Sequence, residues 1–156
     1  GGGLTAAFLL AARDAGLEQP SCAVLLSPWA DLSCAAPSMS ERAERDPLLS
    51  QEGLANSAAA YLGAQDPGRP LASPVHGDFE GIAPLHIHVG SEEILHDDAV
   101  RLAERVRATG GSADVTVWDG MIHDWSLFWF AGLDEATALI AEAGESMNRA
   151  LATATD

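Results

Sequence analysis

The strongest constraint on this chain is the regular alternation of short apolar runs with longer segments of helical period. Cys22-Ala23-Val24-Leu25-Leu26, Leu85-His86-Ile87-His88-Val89 and Ala113 to Trp118 read as strands, ended by Ser27-Pro28, Gly90 and Asp119-Gly120. The first is apolar without alternation, as suits a strand buried on both faces of a parallel sheet. Around them, Leu4 to Ala15, Leu49 to Leu62, Asp97 to Thr109 and Leu133 to Leu151 carry apolar residues at helical spacing. That spacing predicts inward faces of Leu4, Ala7, Phe8, Ala11 and Ala12 in the first helix, and Leu54, Ala58, Tyr61 and Leu62 in the second. It predicts Val100, Ala103 and Val106 in the third, and Leu139, Ile140, Ala143 and Met147 in the last. Ser50 is an expected N-cap, and Gly16, Gly63 and Gly110 are expected stops. The order helix, strand, helix, strand, helix, strand, helix predicts an α/β fold with a parallel sheet and right-handed crossovers. Asp31 to Arg45 shows no period and reads as loop. Ala64 to Pro84 holds 4 prolines and 3 glycines and reads as a long surface connection.

Composition narrows the partners. With 47% hydrophobic residues in 156, the chain predicts packed structure rather than a disordered acidic tail. Its 23 acidic and 8 basic side chains, all arginine, leave a net charge of −15. That argues against nucleic acid and against anionic membrane surfaces. No apolar run approaches the ~20 residues that span a bilayer, so no membrane insertion is expected. Two cysteines, Cys22 and Cys34, make no disulfide framework and point to a reducing cytoplasm.

In open α/β sheets, sites lie beyond the carboxyl ends of the strands. Here those ends are Ser27-Pro28-Trp29-Ala30-Asp31, then Gly90 to Asp98 with Glu92, Glu93, His96, Asp97 and Asp98, then Asp119 to Trp125 with His123. A histidine acting as general base needs a carboxylate to fix its tautomer and stabilise its imidazolium. An acid past one strand and a histidine past its neighbour can supply that pair. His86 and His88 share one face of a strand, but their apolar flanks and the lack of a nearby cysteine favour packed histidines over a metal site. No metal and no cofactor are expected. His96 reads as surface, and Asp46 as a residue that orients its neighbouring loop. Trp125, Phe128, Trp129 and Phe130 are expected mainly as packing under the last helix, or else as a pocket wall, and Trp29 divides the same way.

Gly1-Gly2-Gly3-Leu4-Thr5 looks like the tail of a nucleophile elbow, the strand-turn-helix motif G-x-S-x-G. Together with Ser27-Pro28-Trp29-Ala30-Asp31-Leu32, Asp46-Pro47-Leu48-Leu49, Pro70-Leu71-Ala72-Ser73-Pro74, Val89-Gly90-Ser91 and Gly120-Met121-Ile122-His123, it resembles the C-terminal half of the hormone-sensitive-lipase-like serine esterases. These carry an α/β-hydrolase-3 type domain. The resemblance implies that residues 1–156 are the C-terminal portion of one such domain: a partial α/β-hydrolase fold, parallel strands with flanking helices.

It further implies that His123 is the catalytic histidine and Glu93, or failing that Glu92, the acid. Glu93 replaces the family's commoner aspartate. Trp29, Ile122 and Trp125 become candidates for the substrate pocket. The nucleophile serine and the H-G-G-G oxyanion segment are expected upstream of Gly1, which would leave the isolated chain inactive. The implied activity is hydrolysis of small carboxylic esters or lactones, with homodimerisation through the last strand. The alternatives are a non-catalytic ligand-binding module, as in the plant gibberellin receptors, or an inactive fragment. The receptors lack the working histidine, whereas His123 is present here.

Overall fold

A computed structural model of the protein describes residues 1–153. In chain order it contains α1 (Gly2–Asp14), β1 (Ala23–Leu26), α2 (Ser38–Glu41), α3 (Gln51–Leu62), β2 (Leu85–Gly90), α4 (His96–Ala108), β3 (Ala113–Trp118) and α5 (Asp134–Thr153). The strands form one parallel sheet in the order β1-β2-β3, with Leu25 opposite Ile87 and Ile87 opposite Val115. All three carboxyl ends therefore lie on the same edge.

Strand alternation divides the core in two. Leu25, Leu85, Ile87 and Val89 face Leu9 and Leu10 of α1 and Leu102 and Val106 of α4. On the opposite face, Leu26 and Trp118 meet Trp125, Ala136 and Leu139 beneath α5. A third cluster joins Met39, Leu54, Ile94 and Leu95, and fastens the excursion between β1 and β2 to the segment after β2.

Several details differ from the spacing argument. In α1 the buried residues are Gly2, Ala6, Ala7, Leu9, Leu10 and Ala12, while Leu4 and Phe8 are 72% and 61% exposed. The helix is apolar nearly all round, so periodicity could not choose its face and the sheet did. In α3 only Leu54 and Ala58 are buried, and in α5 Ala136, Leu139, Ala143 and Ser146. Tyr61, Ile140 and Met147 are exposed. The expected loop Asp31–Arg45 contains α2, too short for a period to register, with Ser38 and Met39 buried. Ala64 to Pro84 is irregular apart from one 3-10 turn, Pro74–His76. The aromatic run forms a second such helix, Trp125–Ala131, in which Trp125 is 1% exposed but Phe128, Trp129 and Phe130 are exposed rather than packed. Ser50 caps α3, its hydroxyl accepting from the Gly53 amide at 3.1 Å. Among the described residues, no helix is long and apolar enough to cross a membrane.

Candidate active site

The three strand ends bring Ser27, Glu93 and His123 together. Glu93 is fully buried, and its Oε2 lies 3.0 Å from His123 Nδ1. Its Oε1 accepts hydrogen bonds from the Gly90 amide at 2.6 Å and the Ser27 hydroxyl at 2.7 Å. Burial alone would lower the pKa of His123. The hydrogen bond and charge of Glu93, with the charges of Asp124 and Asp46, outweigh it and raise the pKa. With Nδ1 on the carboxylate, Nε2 is the ring nitrogen left to handle protons; the half-exposed Asp124 lies 3.5 Å from it. Glu92 has no hydrogen bond or ion pair with the imidazole: it pairs with Arg45 at 3.3 Å and accepts from Ser91 Oγ at 2.8 Å.

The loop bearing Glu93 is anchored from several sides. The Ile94 amide donates to Asp46 Oδ2 at 3.1 Å, and Ser38 Oγ donates to the Ile94 carbonyl at 2.6 Å. Arg42 donates to the Ser91 carbonyl, and the Ser91 and Glu92 amides donate to the carbonyls of Trp118 and Met121. Close approach of the acid and histidine turns depends on Gly90, where a Cβ would overlap the Met121 carbonyl. Asp46, Ser38 and Arg42 were beyond sequence reasoning as anchors of the acid loop. They lie in or beside an aperiodic stretch about 50 residues away from it, and no spacing rule links them to it.

A cavity of about 500 Å³ opens beside His123, walled by Trp29, Leu49, Leu54, Tyr61 and Leu71 and reaching Gly1, the N-cap of α1, and Gly3 in its first turn. Trp29 is therefore on its wall. Ile122 is half-buried and Trp125 is buried against Leu139, and neither lines it. The glycines let α1 begin hard against the segment after β1. A Cβ at Gly3 would overlap the Trp29 carbonyl, and one at Gly2 would press on Pro28. The 13-residue helix thus directs its positive N-terminal end at the cavity.

The segment after β1 is held by Asp98 of α4, whose Oδ2 accepts from the amides of Ala30 and Asp31 at 2.9 Å each. Burial pushes Asp98 up to about 7, against those two donors and the nearby Arg101, while the charge of Asp31 adds to the rise. Its Oδ1 is buried without a partner, which is where a proton would sit. A carboxyl raised in the folded state binds more protons folded than unfolded between about 4 and 7. Its contribution is complete below that window and is lost as pH rises through it. Asp98→Asn keeps an acceptor for both amides and cannot ionise. Relative to wild type it should gain on the order of 2–3 kcal/mol between pH 4 and pH 8, measured by urea unfolding.

On the other sheet face His88 is buried, its Nδ1 accepting from Trp118 Nε1 at 3.2 Å, and His86 lies 3.8 Å from Asp114. His96 is half-buried against Asp97 at 2.9 Å. Among the described residues, no group of three or more His, Cys, Asp or Glu side chains is placed to hold a metal ion.

Residues 1–127 match a family model described as the alpha/beta hydrolase fold. An acetyl-hydrolase of Streptomyces hygroscopicus is 43% identical over 150 residues, covering 96% of this chain and 50% of that protein. An esterase of Acinetobacter venetianus is 32% identical over 151 residues, covering 95% and 50%. Among solved structures, an esterase from the bacterial hormone-sensitive lipase family superposes with a TM-score of 0.92 at 42% identity, covering 96% of this chain and 50% of that one. An esterase/lipase from an uncultured bacterium gives 0.93 at 41% identity, covering 97% and 50%. The chain spans about half the length of the relatives it matches.

Proposed function

The chain belongs to the α/β-hydrolase fold family of esterases and lipases, and from that premise we propose that it supplies the acid and histidine of a Ser-His-acid carboxylic ester hydrolase. The observation that carries this reading is the buried Glu93 carboxylate on His123 Nδ1, beside an apolar cavity. In this reading a serine hydroxyl attacks the acyl carbon and His123 Nε2 takes its proton. Glu93 stabilises the resulting imidazolium, and the same nitrogen returns the proton to the leaving alkoxide. Water then repeats the sequence to release the acid. The substrate is a small carboxylic ester, or a lactone opened by the same chemistry.

The nucleophile belongs immediately before Gly1. Gly1 and His123 line one cavity, and the N-terminal end of α1 favours the negative charge that develops on the acyl oxygen. Residues 1–156 are on this account the C-terminal portion of a single hydrolase domain. Among the described residues, no serine hydroxyl bonds His123. The 156-residue chain alone should therefore hydrolyse p-nitrophenyl butyrate no faster than buffer. Turnover by the purified chain that His123→Ala abolishes would contradict this. Ligand binding without turnover by the complete gene product would support a receptor-like module instead. On the same proposal the protein is cytoplasmic, in keeping with the two free cysteines Cys22 and Cys34, and dimerises through β3, an edge strand among the described residues.

A further inference from the structure

Ser27 is the first residue beyond β1, and its φ of 42° puts a non-glycine residue in the left-handed region. Backbone strain of this kind persists only where the surroundings impose it, and it gathers at functional sites. Here the surroundings are explicit. The Ser27 amide donates to the His88 carbonyl at 2.8 Å, and Ala30 and Asp31, three and four residues on, are held by Asp98. The residue is 5% exposed, and among the described residues its hydroxyl has one hydrogen-bond partner, Glu93 Oε1 at 2.7 Å. An ionised carboxylate only accepts, so the hydroxyl donates.

We propose that Ser27 is a positioning residue for the acid: with the Gly90 amide it occupies Glu93 Oε1, so that Oε2 is the oxygen presented to His123. This rests on the Ser-His-acid reading above. A glutamate carboxylate sits at the end of three side-chain torsions, and a single donor would leave it free to turn about that bond. Two donors reach the same oxygen from different elements, Gly90 at the end of β2 and Ser27 at the end of β1. Together they fix the carboxylate plane. Sited at a strand-end turn with positive φ, Ser27 has the look of a nucleophile, but its proton is engaged by Glu93 and its hydroxyl has no bond to His123. It acts through the acid.

The test compares Ser27→Ala and Ser27→Gly in the complete gene product, with Glu93→Gln and His123→Ala alongside. Ala removes the hydroxyl and keeps the strain; Gly removes both and relieves the backbone. Both Ser27 variants should lose about tenfold in kcat on p-nitrophenyl butyrate with KM nearly unchanged, because an oriented group is lost and not a binding contact. Both should also lose or broaden the downfield NMR resonance of the His123 Nδ1 proton. That signal needs no turnover, so it decides the question whatever the substrate. Wild-type kcat and resonance in both variants would overturn the proposal. So would recovery in Ser27→Gly alone, which would assign the effect to the backbone. Wild-type turnover in His123→Ala would show separately that the triad reading itself is at fault.

Discussion

In the complete gene product, His123→Ala should lower kcat on p-nitrophenyl butyrate by about 10⁴-fold or more while leaving KM within a few-fold. His123 lines the cavity with its Nδ1 on Glu93, and on the proposed reading its Nε2 takes the nucleophile's proton and returns it to the leaving group. Glu93→Gln should cost about 10²–10⁴-fold. The amide preserves size but has no charge to stabilise the imidazolium, and it can present an N–H to Nδ1, favouring the wrong tautomer. Glu92→Gln, which disturbs only contacts with Arg45 and Ser91, should stay within about threefold of wild type. Steady-state kinetics on the three variants separates Glu93 from Glu92 as the acid.

Gly90→Ala should damage both folding and activity. The added methyl would overlap the Met121 carbonyl and lie 3.0 Å from Glu93 Oε1. That carbonyl accepts from the Glu92 amide, so relieving the clash separates the histidine turn from the acid loop. The expected cost is about 2–4 kcal/mol of stability, read from urea unfolding. A kcat loss on the order of 10²-fold should accompany it in the fraction that folds, because the Glu93–His123 geometry is displaced. Gly120→Ala offers a control of a different kind. Its φ of 71° is strained for any side chain, but a Cβ there meets nothing within 4 Å, so it should cost stability of about 1 kcal/mol and little turnover.

The strands were legible because buried parallel strands are short, apolar and separated by long connections. That pattern puts the acidic cluster Glu92 to Asp98 and His123 just past the ends of successive strands. The roles proposed for Glu93 and His123 rest on the resemblance, since Glu92 and Glu93 are indistinguishable by composition and adjacent in sequence. What separates them is direction: Glu93 turns under the sheet edge to Ser27 and Gly90, whereas Glu92 turns outward to Arg45. Ser27 was legible as part of Ser27-Pro28-Trp29 but not as a partner of the acid, because a contact 66 residues apart leaves no local signal. The aromatic run misled for a related reason. Composition does not say which aromatics of the 3-10 helix meet the core: Trp125 does, whereas Phe128, Trp129 and Phe130 are exposed.

The central claim is that these residues hold the acid and base of a triad whose nucleophile stands just before Gly1. Labelling the complete gene product with a fluorophosphonate, followed by peptide mass spectrometry, tests it most directly. The account predicts one modified serine on the N-terminal side of Gly1, with labelling lost in His123→Ala. Modification of Ser27 or of any other serine within residues 1–156, or labelling that persists without His123, would contradict it.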